Sequence, residues 1–83
     1  MNTIRKTARA KIAAAADSTA TIGQAMHDTR ADLEVAWANG HGVLSDPHIT
    51  RSRLMRARKR IDEAMAALNA ARWPSDADYD AAE

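Results

Sequence analysis

Apolar residues recur along the first half of the chain at alternating steps of four and three, the pattern of a heptad helix. This repeat predicts a helix over about 3–38. Gly23 lies inside it and costs roughly 1 kcal/mol relative to alanine, so we expect local softness there rather than a break. The repeat comprises Ile12, Ala15, Thr19, Ile22, Met26, Thr29, Leu33 and Ala36.

A turn is predicted over 39–46. Gly40 can adopt the left-handed conformation that closes a helix, and Gly42 adds further freedom. Asp46 and Pro47 then predict the start of a second helix, because aspartate is a favoured N-cap and proline fits the first helical position.

The second helix is predicted over about 47–72. It should end there because Trp73 precedes Pro74, and a residue before proline is pushed out of the helical region. Large residues alternate with alanine in its repeat, which lets two helix backbones approach closely. The repeat comprises Leu54, Ala57, Ile61, Ala64, Leu68 and Ala71.

Two long amphipathic helices joined by a short turn indicate an all-α fold, an antiparallel, coiled-coil-like hairpin over 1–73. The acidic tail over 74–83 can add a short helical turn, since Ser75 and Asp78 have the spacing of a capping box. Pairing the helices antiparallel sets Asp28, Asp32 and Glu34 beside the cations of 51–58. It also lets the acidic tail reach the basic residues Arg5, Lys6, Arg9 and Lys11.

Composition favours self-association. The chain has 83 residues, no Cys and no Phe, and alanine is its main apolar residue, so a monomer can build only a small core. No apolar run is long enough to span a bilayer or to form a signal-peptide core, and with the lack of cysteine this favours a cytoplasmic protein with no membrane partner.

Apolar residues also lie off the heptad repeat. A helix that is apolar on several faces is usually buried on several faces, which in a two-helix protein requires another subunit. We therefore predict a homodimeric four-helix bundle. The predicted dimer or protein-interaction face comprises Met55, Met65, Ala66, Ala70, Trp73 and Trp37.

The segment 51–60 carries six cations and no acid. Such a run can bind phosphates of a nucleic acid. However, Arg53, Arg58 and Arg60 flank the heptad repeat and should pair with the opposite helix. The possible contacts to nucleic acid or an acidic partner are then Arg51, Arg56 and Lys59.

No residue pattern indicates catalysis, a metal or a cofactor. His27, His41 and His48 have no metal-binding spacing, and the neighbouring Ser45, Asp46 and His48 lack the geometry of a catalytic triad. The chain is therefore predicted not to be an enzyme and to have no small-molecule substrate.

Trp37 and Gly40 at the turn, and Tyr79-Asp80-Ala81-Ala82-Glu83 after helix two, resemble the small WXG-type hairpin substrates of type VII secretion. That family carries a Trp-x-Gly turn, whereas this chain reads Trp37-Ala38-Asn39-Gly40. The resemblance implies that Tyr79 and Glu83 belong to a C-terminal export signal.

Three functional hypotheses follow. The favoured one is a small bacterial or phage interaction protein, an adaptor or inhibitor that binds and modulates an unidentified protein. The alternatives are a nucleic-acid-binding regulator that uses the basic helix over 51–60 and a secreted WXG-like hairpin.

Overall fold

A computed structural model describes residues 2–40 and 42–83 of the chain, and His41, which the sequence analysis considered with the other histidines, lies outside them. The described residues form three α-helices and no strand. The helices are α1 (Asn2–Ala38), α2 (Pro47–Ala70) and α3 (Asp76–Ala82). The predicted all-α class is confirmed.

The two long helices pack against each other as an antiparallel hairpin. The molecule measures 64 × 17 × 14 Å and has a radius of gyration of 18.9 Å. A compact domain of this length would have a radius of gyration of about 12 Å. The hairpin is thus a thin rod, in which few side chains can be enclosed.

The end of α1 differs in detail from the prediction. The left-handed glycine is Gly42, with φ of 70°, and not Gly40. Gly40 instead donates its backbone N–H to the Trp37 carbonyl at 2.9 Å, which tightens the last turn of α1. The Val35 carbonyl accepts two hydrogen bonds from Asn39, one from its backbone N–H at 3.2 Å and one from its side chain at 3.0 Å.

The start of α2 is as predicted. The Asp46 carboxylate accepts hydrogen bonds from the backbone N–H groups of His48 and Ile49, and Pro47 occupies the first turn. The end comes two residues earlier than predicted, because Ala71 already has extended dihedrals of −70° and 145°. The backbone is thus already extended two residues before Trp73, the residue that Pro74 directly restricts.

Small side chains form the contact between the long helices. The buried apolar residues among those described are Ala8, Ala15, Ala36 and Ala57, and none of the larger side chains is fully buried. On α1 Ala15, Thr29 and Ala36 are separated by multiples of seven residues, which marks the line that faces α2, and Ala8 continues this series beyond the end of α2. The predicted close approach of the backbones therefore uses the alanine positions of the repeat.

α3 packs on the first half of α1, beyond the end of α2. Ser75 and Asp78 form the predicted capping box at its start. Lys11 Nζ lies 2.9 Å from Asp78 Oδ2, and Arg9 Nε donates to the Ala82 carbonyl at 2.9 Å. The acidic tail thus reaches the basic start of α1, as predicted from the lengths of the helices.

Candidate functional site

An apolar groove runs along one side of the hairpin between α1 and α2. It has a volume of about 930 Å³. Thr29, Ala36 and Ala64 lie along its floor, where the helices meet. Its walls carry the large apolar side chains of both helices, namely Ile22, Met26, Leu33 and Trp37 from α1 and Leu54, Ile61, Met65 and Leu68 from α2.

The groove is open because the large residues of each heptad repeat do not face the other helix. Each helix points its small residues at the other helix, and the large residues of both repeats then lie on the same side. Leu33 is 44% exposed, Leu54 49% and Ile61 48%. Side chains of this size stabilise a fold by about 1.5–3 kcal/mol each only when they are fully buried. The hairpin alone therefore leaves about half of the burial free energy of these side chains unrealised.

The opposite side of the helix contact holds an ion-pair cluster. Asp32 is the centre of this Asp32 cluster, and its side chain is only 4% exposed. Its carboxylate accepts hydrogen bonds from Arg53 and Arg60, both at 3.1 Å. Arg56 Nε lies 3.8 Å from the same carboxylate, and Arg60 also donates to Asp28 at 3.2 Å.

The cluster confirms part of the predicted charge pairing and corrects the rest. Arg53 and Arg60 pair across the hairpin as predicted. Arg56, expected to point outward, joins the cluster, whereas Arg58 lies on the groove side of α2. Glu34 pairs with Arg30 of its own helix at 3.1 Å instead of with α2. Each residue along a helix rotates the side-chain direction by about 100°. A small error in the direction assigned to the repeat therefore changes which charged side chains face the other helix.

The Asp32 carboxyl group is ionised at neutral pH. Burial raises the pKa of Asp32, but the hydrogen bonds from Arg53 and Arg60 and the charge of Arg56 lower it more, so the pKa lies below the ordinary carboxyl value. Asp32 therefore remains ionised throughout the physiological range. A buried carboxylate with three guanidinium neighbours sets the register of the two helices.

Three cations of the basic run remain without a carboxylate partner among the described residues. They are Arg51, Arg58 and Lys59. Arg51 and Arg58 belong to a smaller depression beside the groove, here named the α2 notch. The notch has a volume of about 390 Å³ and is lined by Leu44, Pro47, Thr50, Arg51, Leu54, Met55 and Arg58.

The other residues predicted from the sequence for an interaction face divide between several surfaces. Trp37 and Met65 line the groove and Met55 lines the notch. Ala66 and Ala70 are exposed and belong to neither. Trp73 lies after α2, 43% exposed, and its indole N–H donates to the Leu68 carbonyl at 3.3 Å.

Sequence reasoning missed one part of this surface. Leu44 falls within the predicted turn over 39–46, yet it lines both the groove and the notch. Its apolar side chain within a polar turn was the available signal. Tyr79 lies in α3, half exposed, and Glu83 caps the end of that helix.

Within the described residues, no group of three or more histidine or carboxylate side chains is placed to hold a metal ion. Nor does any described helix combine the length and the apolar character needed to cross a membrane.

Comparison with known protein families, curated proteins and solved structures finds no match to this chain.

Proposed function

We propose that this chain is a non-enzymatic protein-interaction module that acts as a homodimer. The observation that carries the proposal is the open apolar groove, whose walls leave large side chains about half exposed along two helices. Contiguous apolar surfaces on soluble proteins typically mark sites of protein association. The buried core of the described residues consists of alanines, so the groove needs a cover whenever the chain is folded.

A second copy is the occupant that is always present with the chain. Two hairpins that stack groove to groove form a four-helix bundle, whose core receives the large residues of both repeats. Homodimers with such closed two-fold symmetry are the commonest oligomers.

Light scattering on the purified protein tests self-association. A dimer mass at micromolar concentration is expected, and Leu54→Lys should convert it to a monomer by placing a charge in the groove. Ala66→Lys is the matched control, since it puts the same side chain on an exposed position of α2 outside the groove. A monomeric wild-type protein with full helicity would overturn the proposal.

In this dimer the outward face of α2 remains available for another protein, which the module binds and modulates. Lys59 and Ala66 are exposed along this face. Affinity capture with wild-type protein is expected to retain a specific host protein that the still dimeric variant Ala66→Glu loses. Equal capture by both proteins, or none by either, would count against this role.

Nucleic-acid binding is the second candidate, and the unpartnered Arg51, Arg58 and Lys59 favour it. A nucleic-acid-binding protein of this kind should bind duplex DNA, and its affinity should fall steeply as the salt concentration is raised. The variant Arg51→Ala/Lys59→Ala should then lower affinity for all sequences alike. Absence of any binding at low salt would eliminate this candidate.

A further inference from the structure

Trp37 and the α2 notch are two unusual features of the same end of the hairpin. Trp37 lies in the last turn of α1 on the groove side and is 71% exposed. The notch shares Leu44, Thr50 and Leu54 with the groove and lies at its turn end. One feature is a large aromatic projection and the other an apolar depression.

The ion pairs fix the relative heights of the two features along the rod. Asp32 contacts Arg53, so these residues lie at the same level. Trp37 lies five residues nearer the turn on α1, which corresponds to the level of His48 on α2. That level falls within the notch, between Pro47 and Leu54. Within one chain, Trp37 and the notch are at matching heights on neighbouring helices.

A two-fold axis parallel to the helices keeps these heights when a second hairpin is stacked on the groove. The α1 helix of the second copy then lies over α2 of the first, with both turns at the same end. We propose that Trp37 of each copy docks in the α2 notch of the other copy, so that two reciprocal contacts fix the dimer. This inference rests on the homodimer of the proposed function and names its arrangement.

Charge complementarity supports this arrangement. Arg51 and Arg58 border the notch and have no carboxylate partner among the described residues, and a guanidinium attracts the face of an indole ring. Glu34 is 67% exposed at the α1 edge of the groove and lies level with Arg51. The partner subunit's Glu34 thus meets a cation. A perpendicular two-fold axis would instead place α2 against α2, away from Glu34.

Sedimentation equilibrium of Trp37→Ala tests the docking contact. A buried aromatic anchor at an interface contributes at least about 2 kcal/mol. The variant removes both reciprocal contacts, so the dimer dissociation constant should rise roughly 700-fold. Trp73→Ala is the matched control, because Trp73 bonds Leu68 at the other end of α2 and should change the constant by less than about threefold. Circular dichroism verifies that both variants remain helical.

Charge reversal provides a second test that does not depend on the folding of Trp37→Ala. Arg51→Glu should weaken the dimer, and the double variant Arg51→Glu/Glu34→Arg should restore it. A short bismaleimide cross-linker on Val43→Cys tests the end at which the turns lie, since Val43 is 91% exposed. Two turns at the same end give efficient cross-linking between copies.

The outcomes separate the two proposals. A wild-type monomer overturns both the homodimer and its arrangement. A dimer that tolerates Trp37→Ala as well as Trp73→Ala, or that does not cross-link through Val43→Cys, overturns the arrangement and leaves the homodimer intact.

Discussion

Asp32 connects the two long helices through a carboxylate buried among three arginines. Its neighbours Arg53 and Arg60 come from the next helix, so the pairing forms only when the hairpin closes. Asp32 is the buried member of the cluster, with a side chain 4% exposed, so removal of an arginine would leave a buried charge with fewer partners, which is unfavourable. The charge state of this residue is therefore part of the stability of the fold.

We predict that the hairpin loses stability in acid partly through Asp32. Because its pKa in the fold is lowered, its contribution is fully present above the ordinary carboxyl pKa of about 4 and is lost as pH falls through the folded pKa. Urea denaturation between neutral and acidic pH measures this. The difference in unfolding free energy between wild type and Asp32→Asn should shrink as pH falls.

Asp62→Asn is the control for this experiment, since Asp62 is exposed on α2 and takes part in none of the ion pairs of the described residues. A difference between wild type and Asp32→Asn that stays constant with pH would contradict the prediction.

Two glycines should respond to alanine in opposite directions. A Cβ at Gly23 would meet no atom within 4 Å, so Gly23→Ala should stabilise the protein by about 0.5–1 kcal/mol through helix propensity. Gly42 has φ of 70°, so Gly42→Ala should destabilise it by about 1 kcal/mol. Thermal unfolding at one fixed protein concentration compares the variants, and equal shifts would contradict the assignment of the turn.

At the scale of elements, α3 is a short helix that depends on its cap and on α1. The Ser75 backbone N–H bond to Asp78 is the main cause of a lowered Asp78 pKa, and the bond from Lys11 adds to it. A helix of seven residues is not stable in isolation. Its formation therefore relies on these local bonds and on the contact with the start of α1.

Ser75→Ala should loosen α3 by about 1 kcal/mol, because the capping hydroxyl that accepts from the Asp78 N–H is removed. Amide hydrogen exchange is expected to accelerate in 76–82 while α2 is unaffected. Ser52→Ala, at an exposed position inside α2, is the matched control. Unchanged exchange in α3 would show that the contact with α1 is sufficient to hold it.

At the scale of the whole molecule, the rod has too little interior to bury its own apolar side chains. If the proposed dimer forms, the free energy of unfolding of the rod therefore includes the free energy of association. The unfolding midpoint of such a dimer rises with protein concentration by mass action.

The midpoint measured by circular dichroism should therefore increase between about 2 and 200 μM chain. Leu54→Lys should abolish this dependence, whereas Ala66→Lys should keep it. A midpoint independent of concentration in the wild type would indicate that the hairpin is stable as a monomer.

Some features were predictable from the sequence because they depend on neighbours along the chain. The start of α2 follows from Asp46 and Pro47, and the cap of α3 follows from Ser75 and Asp78. These bonds span a few residues and need no tertiary contact. The end of α2 was less predictable, because the backbone leaves the helix before the residue that proline directly restricts.

Side-chain direction around the helix axis was not predictable to the same degree. Arg56 and Arg58 differ by two positions in the sequence, yet Arg56 joins the Asp32 cluster and Arg58 borders the notch. A heptad repeat defines a stripe about 100° wide, and the side of that stripe that faces the partner helix depends on packing. The groove could not be predicted for the same reason, because its position depends on which side of each stripe faces the other helix.

The sequence by itself determined the helices, their antiparallel order and the approximate pairing of acids with cations, because periodicity, capping and charge position act locally. Only the tertiary structure decided that the alanines meet between the helices and the large residues lie together on one open side. That choice depends on how closely two backbones approach, a property of both helices at once. It also leaves the large apolar side chains of both helices about half exposed.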